Sequence, residues 1–529
     1  MKKNDHSVKY TALGIIVAFV LWGFISPESL SVFFNKALAY ITQHFGWFYM
    51  LSTTCFLIFA LFLAFGPFGK IKLGKEHDKP EYGFWSWLAM LFSCGMGIGL
   101  IFWGVAEPVY HYLFPPDIVG QVEPQSADSA RIALVYSFFH WGFHPWGIYS
   151  IVGLALAYAK FRKGEEGLIS VTFRPIFGDK VDGPLGKSID ILAIIATAFG
   201  IATSLGLGTL QINGGLSHLF GVPNHITVQL LIIAVLSIIF IASSALGIDR
   251  GMRYVSNINL SLSGVLLLFI LIVGPTVFIL DTFTTSIGSY LNHIVPLSFN
   301  LGPFIQSDWI SQWTLFYWAW WIAWAPFVGT FIARISKGRT IREFVVGVLF
   351  APTLLGILWF STFGGTALNI EMFAGFNIAQ AVERDITTAL FILLENLPLG
   401  FLLSILATIL IITYFVTSAD AATHVLGMLT SNGNLHPKVS TRIIWGLLQS
   451  GIAAVLLLSG GLNGVQTASI VAALPFCIVM VLMVISIYKA LSYDLQQIEN
   501  KKIERDSIRQ SRSFISALGS DRRHETINE

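Results

Sequence analysis

The chain runs to 529 residues, of which 54% are hydrophobic and 12% charged, with a mean hydropathy of +0.70. A soluble protein of that length cannot carry so apolar a composition, so this is a polytopic membrane protein, and a formal net charge of +2 gives no ground for a nucleic-acid partner. The three cysteines, Cys55, Cys94 and Cys477, fall inside apolar runs, which argues against a disulfide framework and predicts small buried hydrophobes.

Lys2, Lys3 and Lys9 precede an apolar run from Tyr10 to Phe24, as at the front of a signal peptide. Ser26, Pro27 and Glu28 follow where a cleavage site would need small residues, so the run reads as a retained first span. At about 20 apolar residues per span, helices are predicted near 10–27, 47–68, 85–112, 130–160, 188–216, 226–246, 254–280, 312–335, 342–366, 397–423, 440–460 and 466–490, twelve in all.

The loop charges test that count, because lysine and arginine collect on the cytoplasmic side. Lys70, Lys72, Lys75 and Lys79 fall on one side with Lys160, Arg162, Lys163, Arg174, Lys180, Lys187, Arg250, Arg253, Arg334, Lys337, Arg339, Arg342 and Lys438. Segments 113–129, 217–225, 281–311, 367–396 and 461–465, on the other side, contain Arg384 and no other lysine or arginine. Both termini are therefore expected in the cytoplasm of a multi-pass cell-membrane protein. Segment 281–311 mixes Ile287, Tyr290, Leu291, Ile294 and Val295 with polar residues and predicts a helix lying along the interface. The tail from Tyr493, with charges of both signs, predicts a soluble helix followed by disorder, a solvated end rather than a regulator.

Four stretches carry chemistry. In the third helix, Ser93-Cys94-Gly95-Met96-Gly97-Ile98-Gly99 places a glycine at every second position. Packing motifs repeat small residues every four positions, whereas this spacing samples all sides of a helix and favours an unwound stretch. Unwound backbone at mid-membrane offers bare carbonyls to a hard cation such as sodium. Further along the same helix, Glu107 is an intramembrane carboxylate and hence a functional candidate, or else a buried structural acceptor. The fourth helix reads HWGFHPWGIY, in which Trp141 and Tyr149 lie a little over two turns apart. His140 and His144 have the spacing of metal ligands, but no third ligand is evident, which favours packing or hydrogen-bonding roles.

The stretch Trp313 to Phe331, WTLFYWAWWIAWAPFVGTF, holds Trp313, Trp318, Trp320, Trp321 and Trp324, a third of the fifteen tryptophans. Trp320, Trp324, Phe327 and Phe331 stand at i, i+4, i+7 and i+11, with Trp321 and Tyr317 beside them, so one face of the helix is an aromatic wall. Electron-rich rings hold a cation that cannot donate hydrogen bonds, at about 0.5–2 kcal/mol each. An interfacial belt would sit at a span's ends rather than through its middle, and Pro326 is expected to break the helix where it borders a cavity. In the tenth helix Thr417 and Ser418 add neutral hydroxyls suited to a monovalent ion.

GMGIGLIFWGVAEP, HWGFHPWGIY and WTLFYWAWWIAWAPFVGTFIARISKGR together resemble the betaine/carnitine/choline transporter family, from about Leu51 to Tyr488. The resemblance implies an all-α fold of the LeuT-like kind: two leading helices (within 1–84), two inverted five-helix repeats (85–280 and 312–490) joined through 281–311, a cytoplasmic tail (491–529), and assembly as a homotrimer. It implies that Trp320, Trp321 and Trp324, with Trp141 and Tyr149, surround a trimethylammonium head, and that the Met96 region approaches the substrate's other end. It implies one sodium held by backbone at Ser93, Met96 and Phe415 and by the hydroxyls of Thr417 and Ser418. A second sodium site in relatives would use Thr197, its partner one turn on, and Phe327; the partner position is Ile201, which cannot coordinate a cation, while Thr203 and Ser204 lie near but off that face.

Choline is a net cation and would gain from a protein carboxylate at its site, where Gly99 supplies none, so a zwitterion such as glycine betaine is favoured. The reading is thus a sodium-driven symporter of a compatible solute serving osmoprotection, with a choline or carnitine carrier, proton-coupled or exchanging, as the alternative. The spans hold no paired carboxylates, activated nucleophile or metal triad for an intramembrane enzyme, and no phosphate loop for ATP-driven transport. The tails are too short for a sensor domain, and no cofactor beyond sodium is expected.

Overall fold

A computed structural model describes residues 6–95, 97–246, 249–305 and 307–525. Lys2, Lys3 and Met96 lie outside them. The described residues are helical apart from loops and one isolated backbone bridge between Lys72 and Thr340. Nine helices among them are long and apolar enough to cross a membrane, Ser7–Ile25, Pro27–Phe65, Pro184–Phe220, Ile226–Leu246, Tyr254–Val273, Trp309–Ile335, Ile341–Ala374, Gly400–Leu429 and Val439–Ile508.

The difference from the predicted twelve has local causes. The third predicted span is divided at Gly97, whose extended backbone (φ −169°, ψ −168°) separates Phe84–Gly95 from Ile98–Leu113. The fourth is divided at Gly142 into Ala127–Trp141 and Phe143–Ala157. The last two run together as Val439–Glu525, bent at Gly460 and Gly461, where Gly461 takes the left-handed φ of 56° that a side chain would strain. The helix continues through Tyr493 to Glu525.

Helix ends differ more than helix positions. Predicted to begin near residue 47, the second helix begins at Pro27, which sits in the first turn where its missing N–H costs nothing. Its 39 residues span about 58 Å at 1.5 Å per residue, so it extends well beyond a ~30 Å apolar core. Glu28, Asn35, Lys36 and His44 dilute the hydropathy of that extension without interrupting the helix. Gly274 and Pro275 end the Asp249–Val273 helix, and the segment predicted to lie along the interface from 281 is part of Thr276–Phe299, with Tyr290 fully buried. Ile341–Asn369 opens on a capping box between Thr340 and Glu343.

The core is made by the helices that carry the motifs. Pro184–Phe220 and Trp309–Ile335 are 83% and 78% buried over their most apolar stretch, against 22% for Ser7–Ile25 and 28% for Ile226–Leu246. Outer helices show leucines and isoleucines such as Ile238 and Ile272 outward, as lipid allows. This corrects one cysteine expectation: Cys477 is buried but Cys55 is exposed, since a membrane-facing apolar side chain needs no protein cover. At one end the long final helix is tied down by Asp494, which accepts from Arg162 Nε at 2.5 Å and pairs with Lys163.

Candidate functional site

Where the two broken helices meet Thr314–Ile335 and Gly400–Leu429, a cavity of about 660 Å³ opens. Trp141, Tyr149, Trp320, Trp321, Trp324 and Phe327 line it, as do Ser93, Thr417 and Ser418. The aromatic and hydroxyl residues singled out on four separate helices therefore share one space. Trp320, Trp324, Phe327 and Phe331, predicted to lie on one helix face, all line it. Trp318 points elsewhere and stacks on His144 at 5.2 Å. Pro326 does not break the helix: it lies inside the continuous Thr314–Ile335, and its carbonyl accepts from Thr330 Oγ1 at 2.7 Å.

The rings are fixed by each other and by their N–H groups. Trp320 and Trp321 stack at 4.6 Å, Trp141 meets Trp321 edge-on at 4.9 Å, and Tyr149 meets Trp321 edge-on at 6.3 Å. Trp321 Nε1 donates to His140 O at 3.0 Å, Trp324 Nε1 to Gly200 O at 2.7 Å, and Trp141 Nε1 to Glu107 Oε2 at 2.9 Å. Glycine makes room for them: a Cβ on Gly99 would lie 2.6 Å from Trp320 Cη2 and 3.0 Å from Trp141 Cη2, and one on Gly200 would lie 2.9 Å from Trp324 Cδ1.

Glu107, fully buried, is the hub behind the rings. It accepts from His140 Nδ1 at 2.7 Å, Trp141 Nε1 at 2.9 Å and Tyr317 Oη at 2.5 Å, with His111 Nε2 at 3.5 Å. His140 thus converges with Glu107 and His111, their ligand atoms within 4.8 Å of one another, and not with His144, which pairs with Ser298 Oγ at 2.9 Å. The i, i+4 histidine spacing therefore makes no pair, and His140 is joined instead by two groups of the preceding helix. Within this trio His140 is hydrogen-bonded to Glu107, whereas both ring nitrogens of His111 are buried without a hydrogen-bond partner.

Among the hydroxyls, Thr417 Oγ1 donates to Thr413 O at 2.9 Å, and Asn259 Nδ2 lies 3.5 Å from it. Phe415 is fully buried outside the cavity lining. Thr197 is also fully buried, donates to Ala193 O at 2.7 Å and does not line the cavity, while Ile201 beside it is apolar and buried.

The sequence profile of the betaine/carnitine/choline family of transporters matches residues 7–496. The chain belongs to that family. Its members are transporters, not enzymes. Among relatives of this BCCT chain, the glycine betaine transporter OpuD of Bacillus subtilis (strain 168) is 52% identical over 507 residues, 96% of this chain and 98% of the relative. The ectoine/hydroxyectoine transporter of Virgibacillus pantothenticus is 46% identical over 498 residues, 94% and 99% of the two chains. The glycine betaine transporter of Acinetobacter baylyi is 40% identical over 517 residues, 97% and 78%.

The cavity of this BCCT chain also includes residues to which the sequence reading gave no place in the site. Trp146 lines it and meets Tyr149 edge-on at 5.5 Å; its i, i+3 relation to Tyr149 could have placed it on that face. Ser204, seen as lying near the second-sodium positions, lines the cavity with a buried hydroxyl that has no hydrogen-bond partner. Tyr82, Asn257 and Arg334 line the end nearest the basic loops, and no single-residue signal marks them.

Proposed function

We propose that this chain is a secondary symporter that imports a zwitterionic quaternary ammonium compatible solute, glycine betaine first among them, with sodium, for osmoprotection. The observation that carries the reading is the shared cavity: indoles that suit a trimethylammonium group and neutral hydroxyls that suit a monovalent cation face one space of about 660 Å³. The names of relatives at 40–52% identity, glycine betaine and ectoine transporters, agree in pointing to compatible solutes.

In this reading Trp141, Tyr149, Trp320, Trp321 and Trp324 enclose the ammonium head, with Trp146 added by the geometry. Ser93, Thr417 and Ser418 contribute to one sodium site, which fits because all three reach the cavity. Backbone at Met96 and Phe415 belongs to the same proposal. A second sodium at Thr197 and Phe327 fits poorly, because Thr197 is fully buried away from the cavity lining and Ile201 offers no oxygen. Twelve spans in two leading helices and two inverted repeats, both termini in the cytoplasm of the cell membrane, and a homotrimer complete the proposal. One repeat rocking against the other would alternate access to the cavity.

The test is uptake of radiolabelled glycine betaine into proteoliposomes under an inward sodium gradient, then with potassium replacing sodium, with unlabelled choline, carnitine and ectoine as competitors. Sodium-dependent accumulation that resists choline is the expected result. Sodium-independent uptake, or competition chiefly by choline or carnitine, would put the proton-coupled or exchanging carrier in its place.

A further inference from the structure

We infer that Glu107, which does not touch the cavity, sets the strength and the charge preference of the aromatic cage through the Trp141 indole. The inference rests on the cage reading above and concerns how the cage obtains its affinity for a cation.

Glu107 and Trp141 are brought together by two elements. Glu107 lies on Ile98–Leu113, the half-helix that begins just after the Gly97 break, and Trp141 is the last residue of Ala127–Trp141. Three hydrogen-bond donors converge on one carboxylate, two of them on Oε2, and the carboxylate has no exposed surface. A Trp N–H can only donate, and a set of donors closing on both oxygens is what an ionised, acceptor-only carboxylate requires. The tryptophan that lines the cavity therefore has a negative group bonded to its N–H edge.

Two effects follow from elementary electrostatics. An anion accepting from the indole N–H pushes electron density into the ring, which deepens the negative face that attracts a cation. The charge itself lies at the ring's N–H edge in a water-poor interior, where Coulombic attraction is weakly screened. Neither effect acts on an uncharged group of the same shape. Tyr317 stacks against Trp321 at 5.9 Å and gives its hydroxyl to the same oxygen as Trp141, so one carboxylate steadies two walls of the cage. Glu107 is thus a positioning and polarising residue. The protein carboxylate that a cationic group would seek is absent from Gly99 but present behind Trp141.

The test compares glycine betaine with its carbon isostere, 3,3-dimethylbutanoate, in which a quaternary carbon replaces the ammonium nitrogen. Binding of each to the purified full-length protein in sodium is followed by intrinsic tryptophan fluorescence. Wild type is expected to prefer betaine, and Glu107→Gln, which keeps an acceptor oxygen but removes the charge, is expected to shrink the preference roughly tenfold. Tyr317→Phe, which removes a donor and leaves the charge, is expected to keep the wild-type ratio. If Glu107→Gln is not recovered folded, Glu107→Asp takes its place, because withdrawal by one carbon–carbon bond of about 1.5 Å lifts the carboxylate off the indole and should narrow the ratio likewise.

Equal weakening of both ligands in the Glu107 variants, with the ratio unchanged, overturns the inference and leaves Glu107 a structural acceptor. A fall in the ratio as large in Tyr317→Phe overturns it too, since any disturbance of the network would then suffice. A wild type that binds betaine no better than the isostere removes the cage reading itself, and this inference with it.

Discussion

Trp320 and Trp321 are neighbours in sequence and stack on each other, yet only one of them is tied by its N–H. Trp321 Nε1 satisfies the His140 carbonyl, whereas buried Trp320 Nε1 has no hydrogen-bond partner. Replacing either with phenylalanine weakens the π-face, but only Trp321→Phe also leaves a buried carbonyl at a helix end unpaired, which costs about 1–3 kcal/mol. We expect the melting temperature of the purified protein to fall further in Trp321→Phe than in Trp320→Phe, because only the former leaves that carbonyl unpaired, and a thermal-unfolding measurement on the two variants would show it. Equal effects would mean the rings act by packing alone. Gly99→Ala makes the complementary case: its methyl would meet Trp320 Cη2 at 2.6 Å, so KM should rise several-fold while the protein still folds and inserts. At this scale much was legible, because the tryptophans announce themselves by number and spacing. Hidden from view were the relations between helices: Glu107 behind Trp141, His111 rather than His144 beside His140, and the carbonyl of Gly200 under Trp324.

The aromatic helix reaches its neighbours through small residues. A Cβ on Gly329 would lie 2.7 Å from Val152 Cγ1 and 3.0 Å from the backbone nitrogen of Gly153, so Thr314–Ile335 and Phe143–Ala157 pack nearly backbone to backbone there. Gly329→Leu cannot be absorbed by a rotamer change, since one of the atoms it meets is backbone, and overpacking of this kind costs about 1–3 kcal/mol or more. The expected outcome is a lowered melting temperature and a broadened size-exclusion peak for purified Gly329→Leu; an unchanged profile would show that the two helices separate freely. Helices as elements were readable from apolar runs, and the glycine alternation at 95, 97 and 99 correctly marked a discontinuity at Gly97. Helix ends were not readable, because a hydropathy window falls wherever polar residues enter. Backbone hydrogen bonding, by contrast, continues until a residue such as Gly142 or Pro275 stops it. Pro326 shows the converse: proline in a long membrane helix is tolerated when neighbouring helices hold both sides.

Across the whole molecule, the cavity has two unlike ends. Toward the basic loops its lining includes exposed Asn257 and Arg334 together with Tyr82. Above the cage, on the Glu107 side, the way is filled by packed rings: Trp313 lies 4.3 Å from His111, 5.0 Å from half-buried Tyr110 and 5.3 Å from Trp103. If lysine and arginine mark the cytoplasmic face, the described state opens inward and is closed outward by aromatic packing. Asn257→Cys, in a chain whose Cys55, Cys94 and Cys477 are replaced, tests this in one measurement. A membrane-impermeant maleimide should label it in inside-out vesicles and leave it untouched in right-side-out ones. Glycine betaine with sodium, by drawing the cavity toward a closed or outward-facing state, should slow the labelling several-fold, since a ligand shifts an equilibrium only by its preference for one state. Labelling from the outer face alone would reverse the topology drawn from the basic loops. Labelling from the inner face that ignores both ligand and ion would keep the topology and separate the cavity's mouth from the transport cycle.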